Sequence, residues 1–143
     1  MKKSPQKLPQ ITNEIKALWK EANTARLHSH SPYSRFAVGA ALSSTAGKTT
    51  KIFQGCNVEN ASYGATVCAE RVAFWKAISE GAKNFDKIML VIDAPKESIV
   101  PCAMCLQVMS EFVKPEFEIW TANPKEILGC FQFRELLPTS FQF

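Results

Sequence analysis

Apolar residues at Ile11, Ile15, Leu18, Trp19 and Ala22 recur at helical spacing, with Asn13, Glu14, Lys16, Lys20 and Glu21 on the opposite face. This predicts an amphipathic helix reaching about Arg26. Residues 36–42 read as a strand, with small residues where another element packs closely. A turn around Gly47 leads to a second strand over about 51–58, which completes a hairpin. After a loop over 61–67, Cys68 opens a helix that runs through Arg71, Val72, Phe74, Trp75, Ala77 and Ile78 and stops at Gly81. Residues 88–92, Ile-Met-Leu-Val-Ile, fit one buried strand. A third helix over about 103–114 precedes a strand over 117–122, where Phe117, Ile119 and Thr121 alternate with Glu118 and Trp120 until Asn123-Pro124 breaks it. A hairpin followed by strand, helix and strand predicts a mixed sheet with helices on both faces. The helix, strand, helix order of 68–114 brings two helix amino ends to one edge of that sheet.

Composition narrows the picture. A chain of 143 residues with 46% hydrophobic content supports one domain, placed at 11–143 behind a flexible basic tail at 1–10. Of the net charge of +4, Lys2, Lys3 and Lys7 carry three units, which leaves the folded part nearly neutral and argues against polynucleotide binding. Residues 1–10 hold no apolar core of a signal peptide, and no apolar run approaches membrane-spanning length. The expectation is a cytoplasmic protein whose five cysteines are reduced and available to metal. The last segment, 129–143, holds four of the ten phenylalanines, at 131, 133, 141 and 143, and is expected to dock on another subunit.

The candidate chemistry lies between Cys68 and Cys105. Cys102 and Cys105 are three apart and share one face in the first turn of a helix, with Pro101 suited to the helix start. The positive end of a helix dipole favours thiolate there, and Cys68 stands at the second such end. Three thiolates fill three corners of a tetrahedron around zinc and leave the fourth for water, the pattern of a catalytic rather than a structural site. Glu70, two residues after Cys68, is placed to act as general base, and Arg71 to offset the surplus negative charge by hydrogen bonds to thiolate sulfur. Simple burial of cysteine and a redox Cys-x-x-Cys pair are the competing readings, and neither requires the third thiol, Glu70 and Arg71. His28 and His30 fall in a polar turn and are read as solvated; Cys56 and Cys130 are read as buried thiols.

Cys68-x-Glu70 followed by Pro101-Cys102-x-x-Cys105 resembles the three-cysteine form of the zinc deaminase pattern. Ser31-Pro32-Tyr33-Ser34-Arg35-Phe36, the run from Gly55 to Tyr63 and Glu135-Leu136-Leu137-Pro138 are similar to the small cytidine deaminases of pyrimidine salvage. The resemblance implies a three-layer α/β/α fold around a mixed five-stranded sheet, one zinc ion per subunit, and a homotetramer with sites near subunit boundaries. It implies hydrolytic removal of ammonia from C4 of a cytosine nucleoside, with Glu70 moving protons to N3 and to the leaving amine. Phe36 would pack on the pyrimidine, Asn57 and Glu59 would bind ribose hydroxyls, and the Ala69 backbone N–H would meet the O2 carbonyl. Tyr63 and Phe141 would contribute across a subunit boundary. A bidentate carboxylate at Glu59 suits sugar recognition, since a missing hydroxyl leaves buried acceptors unpaired. Val100, Ala103 and Leu106 stand where the family usually has Ser, Gly and Arg. A modified cytosine nucleoside, a polynucleotide cytosine and a non-catalytic zinc domain are the alternatives.

Overall fold

Thr12 caps the first helix, α1 (Asn13–Arg26), by accepting a hydrogen bond from the Ile15 N–H at 3.3 Å. The helix therefore starts two residues after Ile11, which is left exposed, and buries Ile15, Leu18, Ala22 and Ala25. In this computed structural model, which describes residues 8–93 and 99–142, five strands form one sheet. They are β1 (Val38–Ala46), β2 (Thr49–Cys56), β3 (Phe85–Ile92), β4 (Glu118–Ala122) and β5 (Ile127–Gln132), in the order β2-β1-β3-β4-β5. Only β3 and β4 pair in parallel; the hairpin β1/β2 and the pairs β1/β3 and β4/β5 are antiparallel. Most of the basic tail, residues 1–7, lies outside the described residues.

The strand period of two divides the sheet between two cores. Ala41, Met89, Val91 and Trp120 point to one face, where α1 covers them. Ala40, Leu42, Ile88, Leu90 and Ile119 point to the other, beneath α2 (Ala69–Ser79) and α3 (Ala103–Ser110). The expected α/β/α layering and mixed five-stranded sheet are therefore present. Two glycines bring helices close to the sheet. A methyl group at Gly39 would stand 2.0 Å from the Ala22 carbonyl oxygen of α1, and one at Gly55 would stand 2.4 Å from the Ala69 carbonyl oxygen of α2. Gly55 thus sets how near the first turn of α2 lies to the hairpin.

Three expectations change. The third helix ends at Ser110 rather than near 114; the Phe112 and Val113 N–H groups close onto the Met109 carbonyl, and Lys114 precedes a proline, which disfavours helical backbone. The fifth strand lies at 127–132, overlapping the start of the segment expected to dock on a partner, and pairs Phe131 with Ile119 and Cys130 with Trp120. Gly129 interrupts any alternation there, so only pairing with the edge of β4 reveals the strand. Phe133 then closes this chain's own core instead of waiting for another subunit.

Candidate active site

Cys68 and Cys102 are the N-cap residues of α2 and α3, both in extended backbone, and their carbonyls accept the Val72 and Leu106 N–H groups at 3.2 and 3.0 Å. A cap side chain ordinarily turns back onto its own helix. Neither thiol does so. Both sulfurs instead meet Cys105, one turn into α3, so that all three Sγ atoms lie within 4.8 Å of one another. Cys102 and Cys105 Sγ are 3.5 Å apart. Bonds of about 2.3 Å to a tetrahedral zinc ion hold sulfurs roughly 3.7 Å apart, so these thiols fit the ion after small shifts. They hold one zinc per chain.

The local field favours this role. The Cys68 thiol is lowered to about 5, because the Cys105 thiol donates to it and the Arg71 guanidinium stands beside it. Cys105 moves upward in return, since its proton is the one shared with Cys68. Arg71 Nη2 donates to the Thr66 carbonyl at 2.9 Å and reaches Cys68 Sγ at 3.8 Å. Trp75, one turn along α2, lies under that guanidinium at 5.8 Å from ring centre to carbon. Glu70 is 6% exposed in the first turn of α2, and burial pushes its carboxyl up to about 7, with the charge on Cys68 adding to the effect. A carboxyl poised near neutrality beside a metal site can take and return protons at physiological pH.

A second group of expected residues forms a hydrogen-bonded corner next to the thiols. Val58 exchanges backbone hydrogen bonds with Val67 at 2.9 and 3.0 Å, which ties the Asn57–Glu59 segment to the residue preceding Cys68. His30 lies on its other side: its N–H donates to the Asn57 carbonyl and its carbonyl accepts the Glu59 N–H. Asn57 is buried; its Oδ1 accepts from the Val38 N–H at 2.9 Å and Ser29 Oγ at 2.6 Å, and its Nδ2 donates to the Phe36 carbonyl at 2.8 Å. Glu59 Oε2 accepts the Tyr33 and Ser34 N–H groups at 3.0 and 3.2 Å, and Oε1 accepts from Ser34 Oγ. Those donors hold its carboxyl below the ordinary range, the Ser34 hydroxyl most of all. Each carboxylate oxygen offers two lone pairs, so Oε2 is filled and bidentate engagement of a sugar is not open to it. Oε1 keeps the free position.

Phe36 is 41% exposed at this corner, not packed in the core. Tyr63, in a short 3-10 turn, is exposed and meets Tyr33 edge-on at 5.2 Å. Phe141 is 71% exposed, while its backbone N–H and carbonyl are clamped by the Gln107 side chain at 3.2 and 3.0 Å. Sequence reasoning missed the parts played by Ser34, Trp75 and Gln107. The first and last carried a signal only as motif neighbours, because their partners lie 25 and 34 residues away. Of the departures from the family pattern, Leu106 on α3 is buried in the core and serves packing, while Val100 and Ala103 stay exposed. His28 and His30 are exposed, as expected, and Cys56 and Cys130 are half-buried rather than buried. Burial pushes the Cys130 thiol up to about 12. No helix among the described residues is long and apolar enough to cross a membrane.

Residues 12–120 match the family model of the cytidine and deoxycytidylate deaminase zinc-binding region. The chain is 43% identical over 124 residues to the cytidine deaminase of Halalkalibacterium halodurans, covering 87% of this chain and 91% of that protein. It is 42% identical over 120 residues to a probable cytidine deaminase of Dictyostelium discoideum, covering 84% and 78%. Among solved structures, the cytidine deaminase of Burkholderia pseudomallei superposes with a TM-score of 0.81 at 41% identity, over 88% of this chain and 98% of that one. With three thiols gathered at two helix amino ends and this match across most of its length, the chain belongs to the cytidine and deoxycytidylate deaminase family.

Proposed function

We propose that this chain catalyses the zinc-dependent hydrolysis of cytidine and deoxycytidine to uridine or deoxyuridine and ammonia, a reaction that recovers pyrimidine nucleosides in the cytoplasm. The observation that carries the proposal is the pairing of the Cys68, Cys102 and Cys105 cluster with buried Glu70 in the first turn of α2. When bound, zinc supplies Lewis acidity that brings the deprotonation of water within reach of neutral pH. Glu70 takes the proton released by water and delivers it to N3 as the C4–O bond forms. Glu70 then takes the proton of the new C4 hydroxyl and passes it to the C4 amino group, so that the C4 carbonyl forms as the C–N bond breaks and ammonia leaves. Arg71 offsets the charge of the thiolates, and the Ala69 backbone N–H, at the amino end of α2, binds the O2 carbonyl.

In this reading the Phe36 ring covers one face of the pyrimidine, the second N–H of Asn57 Nδ2 and the open side of Glu59 Oε1 take sugar hydroxyls, and residues 11–143 act as one catalytic domain. The exposed rings of Tyr63 and Phe141 support a homotetramer in which each subunit adds a wall to its neighbour's site. The sugar-directed acceptor and the near-neutral folded part favour a free nucleoside over a base within a polynucleotide.

The test follows the loss of the cytosine absorbance band on mixing zinc-loaded protein with cytidine and, separately, deoxycytidine. Turnover on both is expected, and Glu70→Gln is expected to lower kcat by about 10²–10⁴-fold while zinc content stays the same. Near-normal turnover in that variant removes Glu70 from its role. No turnover of either nucleoside by the zinc-loaded protein moves the assignment to a modified cytosine.

A further inference from the structure

Glu59 has one open acceptor position, on Oε1, and the atom that shares Oε1 is the Ser34 hydroxyl. Ser34 is itself fixed from two directions. Its Oγ accepts the Phe36 backbone N–H at 3.1 Å, and its own backbone N–H donates to Glu59 Oε2 at 3.2 Å. Between Ser34 and Phe36, Arg35 holds φ at 57°, a left-handed conformation that a side chain other than glycine adopts at a cost, and its N–H donates to the Ser31 carbonyl at 2.9 Å. The turn is therefore bent to set the Phe36 N–H on the serine hydroxyl, and Asn57 Nδ2 holds the Phe36 carbonyl from the far side.

We infer that Ser34 is a positioning residue for sugar recognition: by joining the Phe36 backbone N–H to Glu59 Oε1, its hydroxyl aims the one open lone pair of Glu59 at the nucleoside's ribose. The inference rests on the reading of Glu59 as the sugar contact. It assigns discrimination to a residue that touches no substrate. A hydroxyl that accepts from an N–H has its own proton directed at the carboxylate, so Oε1 cannot rotate away without losing a charge-assisted hydrogen bond. In Ser34→Ala that restraint disappears, the Phe36 N–H loses its acceptor, and the carboxylate is held by Oε2 alone.

The experiment compares the zinc-loaded full chain with its Ser34→Ala, Ser34→Thr and Glu59→Gln variants on cytidine and on 2′,3′-dideoxycytidine. The affinity of the product uridine is measured alongside by calorimetry, with zinc content and thermal unfolding recorded for each protein. For Ser34→Ala, KM for cytidine is expected to rise and uridine affinity to fall by about tenfold, the worth of one hydrogen bond to a charged group, with kcat within about twofold. On the dideoxy substrate the penalty shrinks to under about twofold, because no 3′-hydroxyl remains to be aimed at. Ser34→Thr, which keeps the hydroxyl, restores the cytidine KM. An equal penalty on both substrates, or no penalty on cytidine, overturns the role of Ser34. If Glu59→Gln keeps full discrimination between the two substrates, the sugar contact itself is misassigned. Loss of discrimination in Glu59→Gln with a harmless Ser34→Ala removes Ser34 alone.

Discussion

The thiol corner and the turn corner adjoin through one pair of backbone hydrogen bonds between Val58 and Val67, yet they are built in different ways. Cys68, Cys102 and Cys105 occupy helix N-cap or first-turn positions, so their directions follow from where two helices begin. Phe36, Asn57 and Glu59 take their positions from hydrogen bonds between segments 19 to 28 residues apart, with no regular element holding the turn. In the first corner Cys105 and Glu70 are buried, Cys68 is half-buried and Cys102 is exposed, and all of them come from one chain. The second leaves Phe36, Tyr33 and Tyr63 in solvent. On the proposed reading, reaction chemistry is anchored to rigid elements, while recognition rests on a hydrogen-bond network without one.

Removing a thiol breaks this comparison most sharply. Cys102→Ala is expected to lose the metal, with zinc analysis approaching zero and activity down by more than about a hundredfold, because even indirect partners of ligands are worth about 10–100-fold. Full zinc occupancy in that variant would take Cys102 out of the ligand set. Next in size is Gly55→Ala, which forces a methyl group to within 2.4 Å of the Ala69 carbonyl oxygen. Overpacking of about 1–3 kcal/mol is expected in unfolding, with kcat reduced by up to about 10²-fold as the first turn of α2 shifts. Unchanged kcat would show that the position of Glu70 tolerates movement of its helix.

Phe141→Ala sharpens the contrast from the other side. A decrease in kcat/KM of about tenfold, expressed mainly in KM and with zinc content unchanged, is expected if its ring completes the recognition corner of a neighbour. Equal KM values for variant and parent would confine this ring to packing. The smallest effect is on pH dependence. Glu59 titrates below the ordinary carboxylate value of about 4.3, so its ionised form contributes to stability above that value and the contribution is lost as pH falls through the folded-state pKa. The melting temperature difference between parent and Glu59→Gln should be flat above the ordinary carboxylate value of about 4.3 and close as pH falls below it. A difference that persists in acid would mean that charge on Glu59 is not what staples the turn.

Most of the layering was legible from the chain. The 3.6-residue pattern of α1, the apolar run of β3 and the alternation in β4 each named an element, because each buries one face against the sheet. The thiols and Glu70 were legible from spacing, since helix starts at Cys68 and Pro101-Cys102 dictate where the first turn points. Strand β5 was hidden: its residues carry no period of their own, and pairing with β4 makes them a strand. Asn57 and Glu59 were named by resemblance, but their partners were not. Asn57, expected as a sugar contact, also braces the turn, because its amide binds Val38, Ser29 and Phe36.

By itself, then, the sequence determined every element of the sheet and its covering helices except β5, and which thiols and carboxyl stand together at the two helix starts, because helix starts, apolar periods and metal ligands act over a few residues. Only the tertiary structure decided how close Gly55 brings α2 to the hairpin, that Ser34 and Glu59 share one oxygen, and that Gln107 clamps the backbone of Phe141. Those contacts join residues 14 to 34 apart along the chain, and nothing in the local spacing of such residues encodes which partner a hydrogen bond will find.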